Sequence, residues 1–132
     1  MILEVTKENI REIQNSFLDR DFVLKEFQKN PFAHFLILKE NSEVIGYLYY
    51  SDIYERAEIN QFEILESHRN CGKGQILLKY FLEFVDKDIT LEVKSDNISA
   101  IHLYLKNGFQ EKAIRSGYYQ GIDGILMERK KI

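Results

Sequence analysis

The stretch "SHRNCGKGQILLKYFLEF", Ser67–Phe84, joins a polar segment with two glycines to an apolar helical pattern, and it decides the interpretation of the whole chain. Gly72 and Gly74 stand directly at the start of that pattern, although glycine disfavours helix interiors. The first turn of a helix leaves backbone N–H groups without partners and carries partial positive charge. A glycine-lined helix start therefore suits an anion such as a pyrophosphate, with relief of steric crowding as the alternative.

Two known phosphate-binding motifs do not match this stretch. A P-loop would require Gly at position 67 and Ser or Thr at position 74, where the chain has Ser67 and Gly74. The fingerprint of dinucleotide-binding folds would require a third glycine at position 77, which is Leu77. The sequence therefore excludes both nucleotide folds, and the surrounding elements must indicate which anion the glycines would hold.

The residues before the glycines predict strands, and those after them predict a helix. Residues 32–40, 43–54 and 56–65 are β-rich runs with short turns between them, which predicts an antiparallel meander that begins with a hairpin at "NS". Residues 73–87 are apolar except for a polar position every three or four residues. This spacing predicts a helix with one solvent-exposed stripe.

A second strand and helix follow. "DITLEV", residues 88–93, is a compact strand, and Asp96 or Asn97 can start a helix that ends at the "NGF" of Asn107–Phe109. The order strand, helix, strand, helix implies a parallel pair of strands joined by a right-handed crossover. Because the front of the chain is antiparallel in pattern, the fold class is α/β with a mixed sheet.

The N-terminal thirty residues predict one short strand and two helices. "ILEV" suits a strand, and Thr6 can cap a helix over the apolar positions of residues 10–17. Asp21 can cap a second helix, which Asn30 ends just before the single proline of the chain.

Length and composition limit the protein class. The 132 residues suit one domain, 1–132, with no linker or repeat inside it. A net charge of −3 with mixed signs offers no dense cationic stripe, so nucleic acid is not expected as a main ligand. One cysteine cannot form an internal disulfide, and "MILEVTKENIREI" meets charge too early for a signal peptide or membrane span. We therefore expect a cytoplasmic protein with no membrane partner.

The motif "RNCGKG", Arg69–Gly74, resembles the Gln/Arg-x-x-Gly-x-Gly/Ala loop with which the GNAT family of N-acetyltransferases binds acetyl-CoA. "LEVKSDNISAIHLYLKNGF", Leu91–Phe109, resembles the second half of the family core, in the form found in enzymes that acetylate ribosomal-protein N-termini. The resemblance covers nearly the whole chain. It implies a mainly antiparallel sheet of about seven strands with a parallel fourth and fifth strand, flanked by about four helices.

The resemblance also implies a reaction, the transfer of an acetyl group from acetyl-CoA to a primary amine. The Glu of "LEV" is the general base in the resembled enzymes, which gives Glu92 that role, and the Tyr of "LY" protonates the CoA sulfur, which gives Tyr104 the role of acid. From the residues alone, Glu92 would be an exposed strand residue or an ion-pair partner, and Tyr104 a core aromatic. Glu63 is a reserve base, because some branches of the family use an acidic residue at that strand.

The donor contacts follow from the same resemblance. In the family, the backbone of the strand at Phe62–Ile64 pairs with the pantetheine arm, and an asparagine at the start of the later helix, here Asn97, hydrogen-bonds the cofactor while it can also cap the helix. The residues expected to bind acetyl-CoA are Phe62, Glu63, Ile64, Arg69, Asn70, Cys71, Gly72, Lys73, Gly74, Gln75 and Asn97.

The acceptor is less defined. "SGYYQGID", Ser116–Asp123, resembles the Tyr-Tyr turn that lies over the acceptor peptide in N-terminal acetyltransferases, which makes Tyr118 and Tyr119 acceptor-site candidates. A plain hairpin with exposed tyrosines is the alternative, since the proline and longer loop of that subgroup are missing. A peptide N-terminus, a small amine such as a polyamine, amino acid or antibiotic, and a non-catalytic CoA-binding role all stay open, as does the choice between monomer and homodimer.

No metal site is expected. His34, His68 and His102 form no metal-ligand pattern, and no histidine stands at a useful spacing to activate Cys71, so a loop filler is the simplest role for that thiol.

Overall fold

A computed structural model describes residues 1–132 and places seven strands in one mixed sheet. The elements in chain order are β1 (Ile2–Val5), α1 (Arg20–Lys29), β2 (Ala33–Glu40), β3 (Glu43–Ile53), β4 (Arg56–Ile64), α2 (Lys73–Phe84), β5 (Asp88–Lys94), α3 (Ile98–Lys106), β6 (Gln110–Tyr119) and β7 (Ile122–Arg129). The sheet order is β1-β2-β3-β4-β5-β7-β6, and only β4 and β5 run parallel. The α/β class, the antiparallel meander and the parallel fourth and fifth strands are confirmed.

Hydrophobic residues on the two faces of the sheet form two separate clusters. Along β3, Leu48 and Tyr50 belong to the cluster under α2 and α3, whereas Tyr47 and Tyr49 belong to the cluster under α1. This alternation is the period of two that a strand buried on both faces requires. None of the helices is long and apolar enough to cross a membrane.

The N-terminal segment differs from the sequence prediction. A short 3₁₀ turn, Ile10–Ile13, stands where an α-helix capped by Thr6 was predicted, so three α-helices flank the sheet. Asn15 has a φ of 59°, which no helix continues through. The N-cap of α1 is Asp19, whose carboxylate accepts a hydrogen bond from the N–H of Phe22, and not the predicted Asp21.

The predicted hairpin at "NS" is confirmed, and its turn explains the register of β2 against β3. Asn41 and Ser42 both have positive φ values, 51° and 67°, as a two-residue hairpin turn of type I′ requires. The β6–β7 turn repeats this pattern at Gln120 and Gly121, with φ values of 51° and 93°.

β4 contains a β-bulge next to the point where it separates from β5. Tyr49 faces Gln61 and Tyr50 faces Ile59, so Asn60 is the extra residue on β4. A side-chain hydrogen bond from β3 stabilises the bulge, because Ser51 donates to the Asn60 side chain at 2.7 Å. The parallel pairing of β4 with β5 ends at Ile59 and Leu91, which leaves the rest of β4 without a partner on that side.

Candidate active site

A cleft of about 670 Å³ lies where β4 and β5 separate. Its walls are the end of β4, the start of α2 and one side of α3, and it collects every residue expected to bind acetyl-CoA except Cys71. Tyr104 lines the same cleft. The exposed Cys71 thiol donates to the backbone oxygen of His68 at 2.9 Å, which agrees with a loop role.

The start of α2 presents unpaired backbone donors to this cleft. Gly72 is the N-cap with a φ of +84°, and no side chain caps the helix. The first bond inside the helix runs from the N–H of Ile76 to the oxygen of Gly72, so the N–H groups of Lys73, Gly74 and Gln75 have no protein acceptor. Together with the helix dipole, these three groups favour a bound anion.

Backbone conformation, not crowding, explains the glycine at position 72. A Cβ at Gly72 would meet no atom within 4 Å, whereas its positive φ is one that residues with a side chain rarely adopt. At Gly74 a Cβ would lie 3.4 Å from Leu103, an ordinary contact that would nevertheless fill part of the cleft floor. The crowding alternative is therefore not needed at either position.

Several charged and amide side chains around the cleft already have partners. Lys73 forms an ion pair with Glu40, and this hydrogen bond raises the pKa of Lys73. Arg69 donates from Nε to the backbone oxygen of Ile64 at 2.8 Å. Gln75 and Asn107 exchange two amide hydrogen bonds of 3.1 and 2.8 Å. The backbone, more than these side chains, is available to an anionic ligand.

Asn97 caps α3, as the sequence predicted for one of its two possible roles. Its Oδ1 accepts from the N–H of Ala100 at 3.3 Å, while the residue also lines the cleft.

The Tyr104 hydroxyl opens into the cleft, although the residue is only 6% exposed. Its ring packs against Phe62 and Phe109, with ring centres 6.2 and 5.5 Å away. The hydroxyl makes no hydrogen bond to the protein, yet no fully buried side-chain polar atom lacks a partner, so this oxygen must reach the cleft. Burial raises the pKa of Tyr104, which keeps the phenol protonated at neutral pH.

Glu92 lies at the edge of the gap but on the opposite face of the sheet from Tyr104. It follows Leu91, the last β5 residue paired with β4, and strand alternation turns its side chain away from the cluster that contains Leu91 and Val93. Arg115 forms a forked pair with its carboxylate, at 2.7 Å from Nε and 2.8 Å from an Nη. These bonds hold the pKa of Glu92 below its usual range.

Glu63, the reserve base, lines the cleft directly. The hydroxyl of Tyr47 lies 3.2 Å from its Oε2 and 2.9 Å from Oε1 of Gln61. Burial and the charge of Glu63 raise the pKa of Tyr47, so this hydroxyl stays a donor at neutral pH.

Tyr119 contacts Glu92, and Tyr118 contacts Arg115, the partner of Glu92. The Tyr119 hydroxyl donates to Glu92 Oε1 at 3.1 Å, and the guanidinium carbon of Arg115 lies 3.6 Å from the centre of the Tyr118 ring. Tyr118 is nevertheless 55% exposed in the β6–β7 hairpin, so the acceptor role of the two tyrosines stays a prediction. Arg115 and Gly124 were not among the predicted site residues, because only the strand register brings them to Glu92.

Comparison with known proteins agrees with this geometry. Residues 2–109 match the model of the acetyltransferase (GNAT) family. The chain is 35% identical to the [ribosomal protein bS18]-alanine N-acetyltransferase of Haemophilus influenzae over 98 residues. This aligned segment covers 70% of this chain and 66% of that protein.

Two solved structures share the fold. The ribosomal-protein-S18-alanine N-acetyltransferase from Escherichia coli has a TM-score of 0.83, with 20% identity, over 99% of this chain and 93% of that chain. A GNAT family acetyltransferase from Elizabethkingia anophelis, solved with acetyl-CoA bound, has a TM-score of 0.76, with 18% identity, over 98% of this chain and 97% of that chain. This chain belongs to the GNAT family, and it is an N-acetyltransferase that uses acetyl-CoA as donor.

Proposed function

We propose that residues 1–132 form a single catalytic domain that acetylates the α-amino group of a protein or peptide N-terminus, of the ribosomal-protein type. The sequence of Leu91–Phe109 has the form found in that subgroup, and the relative from Haemophilus influenzae is named for such an acceptor. A ribosomal-protein acceptor would also agree with the cytoplasmic location expected from the single, free cysteine.

The observation that carries the proposal is the gap between β4 and β5, which has donor groups on one side and a carboxylate at its edge. The N–H groups of Lys73, Gly74 and Gln75 would hold the pyrophosphate of acetyl-CoA. The free edge of β4 at Phe62–Ile64 would pair with the pantetheine arm, which directs the thioester toward Tyr104. Asn97 would add a side-chain contact to the same arm.

The reaction is a direct transfer in this proposal. The nitrogen of the uncharged amine attacks the thioester carbonyl carbon, so that a C–N bond forms and the C–S bond breaks. Glu92 takes the proton that the amine loses, through a water molecule, and Tyr104 donates a proton to the departing thiolate. Glu63 is the alternative base, because the residue lines the cleft and its carboxylate, which has only Tyr47 as a protein partner, lies on the same face of the sheet as that of Glu92.

An acceptor panel tests the proposal. Peptides with a free α-amino group, the same peptides with a blocked N-terminus, polyamines, amino acids and aminoglycosides are incubated with acetyl-CoA and analysed by mass spectrometry. We expect acetylation of the free peptide N-termini and none of the blocked ones. Acetylation of small amines alone would replace the peptide acceptor, and a rise in melting temperature with acetyl-CoA but no acetylated product would indicate a non-catalytic binding protein.

Three single substitutions test the residue roles. We expect Tyr104→Phe and Glu92→Gln to keep acetyl-CoA affinity and lower turnover by about 100-fold, the usual contribution of a positioned acid or base. Glu63→Gln is the comparison variant, since it removes the carboxylate of the reserve base and leaves Glu92 in place. Wild-type turnover in Tyr104→Phe would remove Tyr104 from the mechanism, and a loss in Glu63→Gln with normal Glu92→Gln would transfer the role of base to Glu63.

A further inference from the structure

The side chains of Glu92, Arg115, Tyr118 and Tyr119 form one group beside Gly124, on the face of the sheet opposite the acetyl-CoA cleft. We propose that Arg115 is a positioning residue of the transfer reaction: together with Tyr119 it fixes the Glu92 carboxylate so that a single acceptor direction, on Oε2, remains for the proton of the amine. This inference rests on the proposed function, in which Glu92 is the base.

The Arg115–Glu92 pair depends on Gly124. Glu92 lies on β5 and Arg115 on β6, and β7 separates the two strands, so their backbones are about 10 Å apart. Gly124 is the β7 residue in register with Arg115. A Cβ at Gly124 would lie 2.6 Å from Glu92 Oε2 and 3.0 Å from the Tyr119 ring. The ion pair between Arg115 and Glu92 therefore crosses β7 at Gly124, the one β7 position that has no side chain.

The hydrogen bonds to Glu92 leave one acceptor direction free. A carboxylate offers about four lone-pair directions, two on each oxygen. Oε1 accepts from an Nη of Arg115 at 2.8 Å and from the Tyr119 hydroxyl at 3.1 Å, whereas Oε2 accepts only from Arg115 Nε at 2.7 Å. The remaining direction is on Oε2, the oxygen directly above Gly124.

The guanidinium is itself held in place, which a freely moving surface arginine would not be. The Tyr118 ring lies against it at 3.6 Å, and its planar fork matches the carboxylate with two parallel bonds. The Glu92 side chain is 18% exposed and that of Arg115 is 45% exposed, so water reaches the group from the side of the arginine. Such an arrangement restrains the rotamer of Glu92 without closing it to a proton-carrying water.

The charges around Glu92 keep it ionised. Arg115 and, more weakly, Tyr119 hold its pKa below the usual range, against the effect of burial. Lys94 adds a cation 5.3 Å from the centre of the Tyr119 ring. The neighbouring β7 residues, Leu126 and Gly124, carry no charge, and the pairing with β4 ends before Glu92. Glu92 is thus a carboxylate at every pH at which an α-amine is uncharged.

Arg115→Gln and Arg115→Lys test the inference, with Lys112→Gln as the control. Lys112 is another β6 cation, but it pairs with Glu128 at 3.7 Å. Turnover and acceptor KM are measured against pH, and the Glu92 carboxyl carbon is titrated by ¹³C NMR, assigned by its loss in Glu92→Gln. For Arg115→Gln we expect turnover to fall by about 10- to 100-fold, acceptor KM to change little and the pKa of Glu92 to rise. Arg115→Lys should restore part of the pKa effect but not the rate, because lysine lacks the fork.

The outcomes separate this inference from the proposed function. If Arg115→Gln has wild-type turnover and an unchanged Glu92 pKa while Glu92→Gln is inactive, Arg115 has no positioning role and Glu92 remains the base. If Glu92→Gln itself has wild-type turnover, the base assignment fails and the inference fails with it. If Arg115→Gln does not fold, Arg115→Lys decides, since a rate equal to that of Lys112→Gln would overturn the inference.

Discussion

The two sides of the gap between β4 and β5 are built on opposite principles. On the side of α2 and α3, the groups that face the cleft are backbone N–H groups without protein partners and a tyrosine hydroxyl without one. On the other side, the Glu92 carboxylate has three of its four acceptor directions filled by side chains. An anionic donor needs open groups to bind to, whereas a base needs a fixed position, so the difference follows from what each side has to do.

The largest expected effect comes from Gly124→Ala. This substitution acts on the side of Glu92, here called the filled side. The new Cβ would overlap Glu92 Oε2 at 2.6 Å, so the carboxylate has to leave its hydrogen bonds with Arg115 and Tyr119 to make room. We therefore expect turnover to fall by about 100-fold, as a displaced catalytic group does, while the melting temperature changes little. Acetyl-CoA affinity, measured by titration calorimetry, should stay at the wild-type value because Gly124 is not part of the cleft.

Normal turnover in Gly124→Ala would mean that the position of the Glu92 carboxylate does not matter for the reaction. A large drop in melting temperature would instead mark Gly124 as a packing residue, and the rate loss would then need the Arg115 variants for its interpretation.

The sequence predicted Glu92, Tyr118 and Tyr119 as site residues but not Arg115 and Gly124, which lie against Glu92, and the reason is physical. Gly72 is the N-cap of α2, and Asn97 and Tyr104 lie at a fixed spacing on α3, so local helix geometry determines how each of these residues is presented within its own element. The contact of Arg115 with Glu92 depends on the register of three strands, and the β6–β7 pairing shifts register twice, between Glu111 and Ala113 and between Arg115 and Tyr119. A slip of one residue turns a side chain to the other face, so no spacing in the sequence could predict this pair.

The N-terminal segment shows the same limit for secondary structure. Apolar residues at helical spacing were present in residues 10–17, but the segment does not form an α-helix. Asn9 accepts a hydrogen bond from the N–H of Thr6 at 2.7 Å, and Asn15 adopts a φ of 59°. The side-chain hydrogen bond of Asn9 and the left-handed conformation of Asn15 therefore prevent an α-helix, although the apolar spacing would suit one.

The second prediction concerns the side of α2 and α3, where the backbone N–H groups have no protein partner, here called the open side. In Gly72→Ala the φ of +84° becomes costly, about 1 kcal/mol, although no atom obstructs the methyl group. Relaxation of that strain would turn the first N–H groups of α2 away from the cleft. We expect the dissociation constant for acetyl-CoA to rise about tenfold, a loss of about 1.4 kcal/mol in binding free energy, and turnover at saturating acetyl-CoA to stay within a few-fold of wild type.

Gly121→Ala is the matched control for this prediction. Gly121 has a φ of +93°, also with no atom within 4 Å of a Cβ, but it lies in the β6–β7 turn. Both variants should lose similar stability, and only Gly72→Ala should lose acetyl-CoA affinity. Equal affinities in the two variants would show that the backbone of residues 72–75 does not bind the donor.

The smallest expected effect distinguishes the backbone of the open side from its most prominent charge. Lys73 stands at the first position of α2 and lines the cleft, but its ammonium group is paired with Glu40. Because this partner already neutralises the charge, Lys73→Gln should weaken acetyl-CoA binding by less than about threefold in physiological salt, within the range of an exposed ion pair. Glu40→Gln frees the ammonium group and should strengthen binding slightly, more so at low salt. A tenfold loss in Lys73→Gln would mean that the lysine exchanges Glu40 for a phosphate when acetyl-CoA binds, and the open side would then rely on a side chain as well as on its backbone.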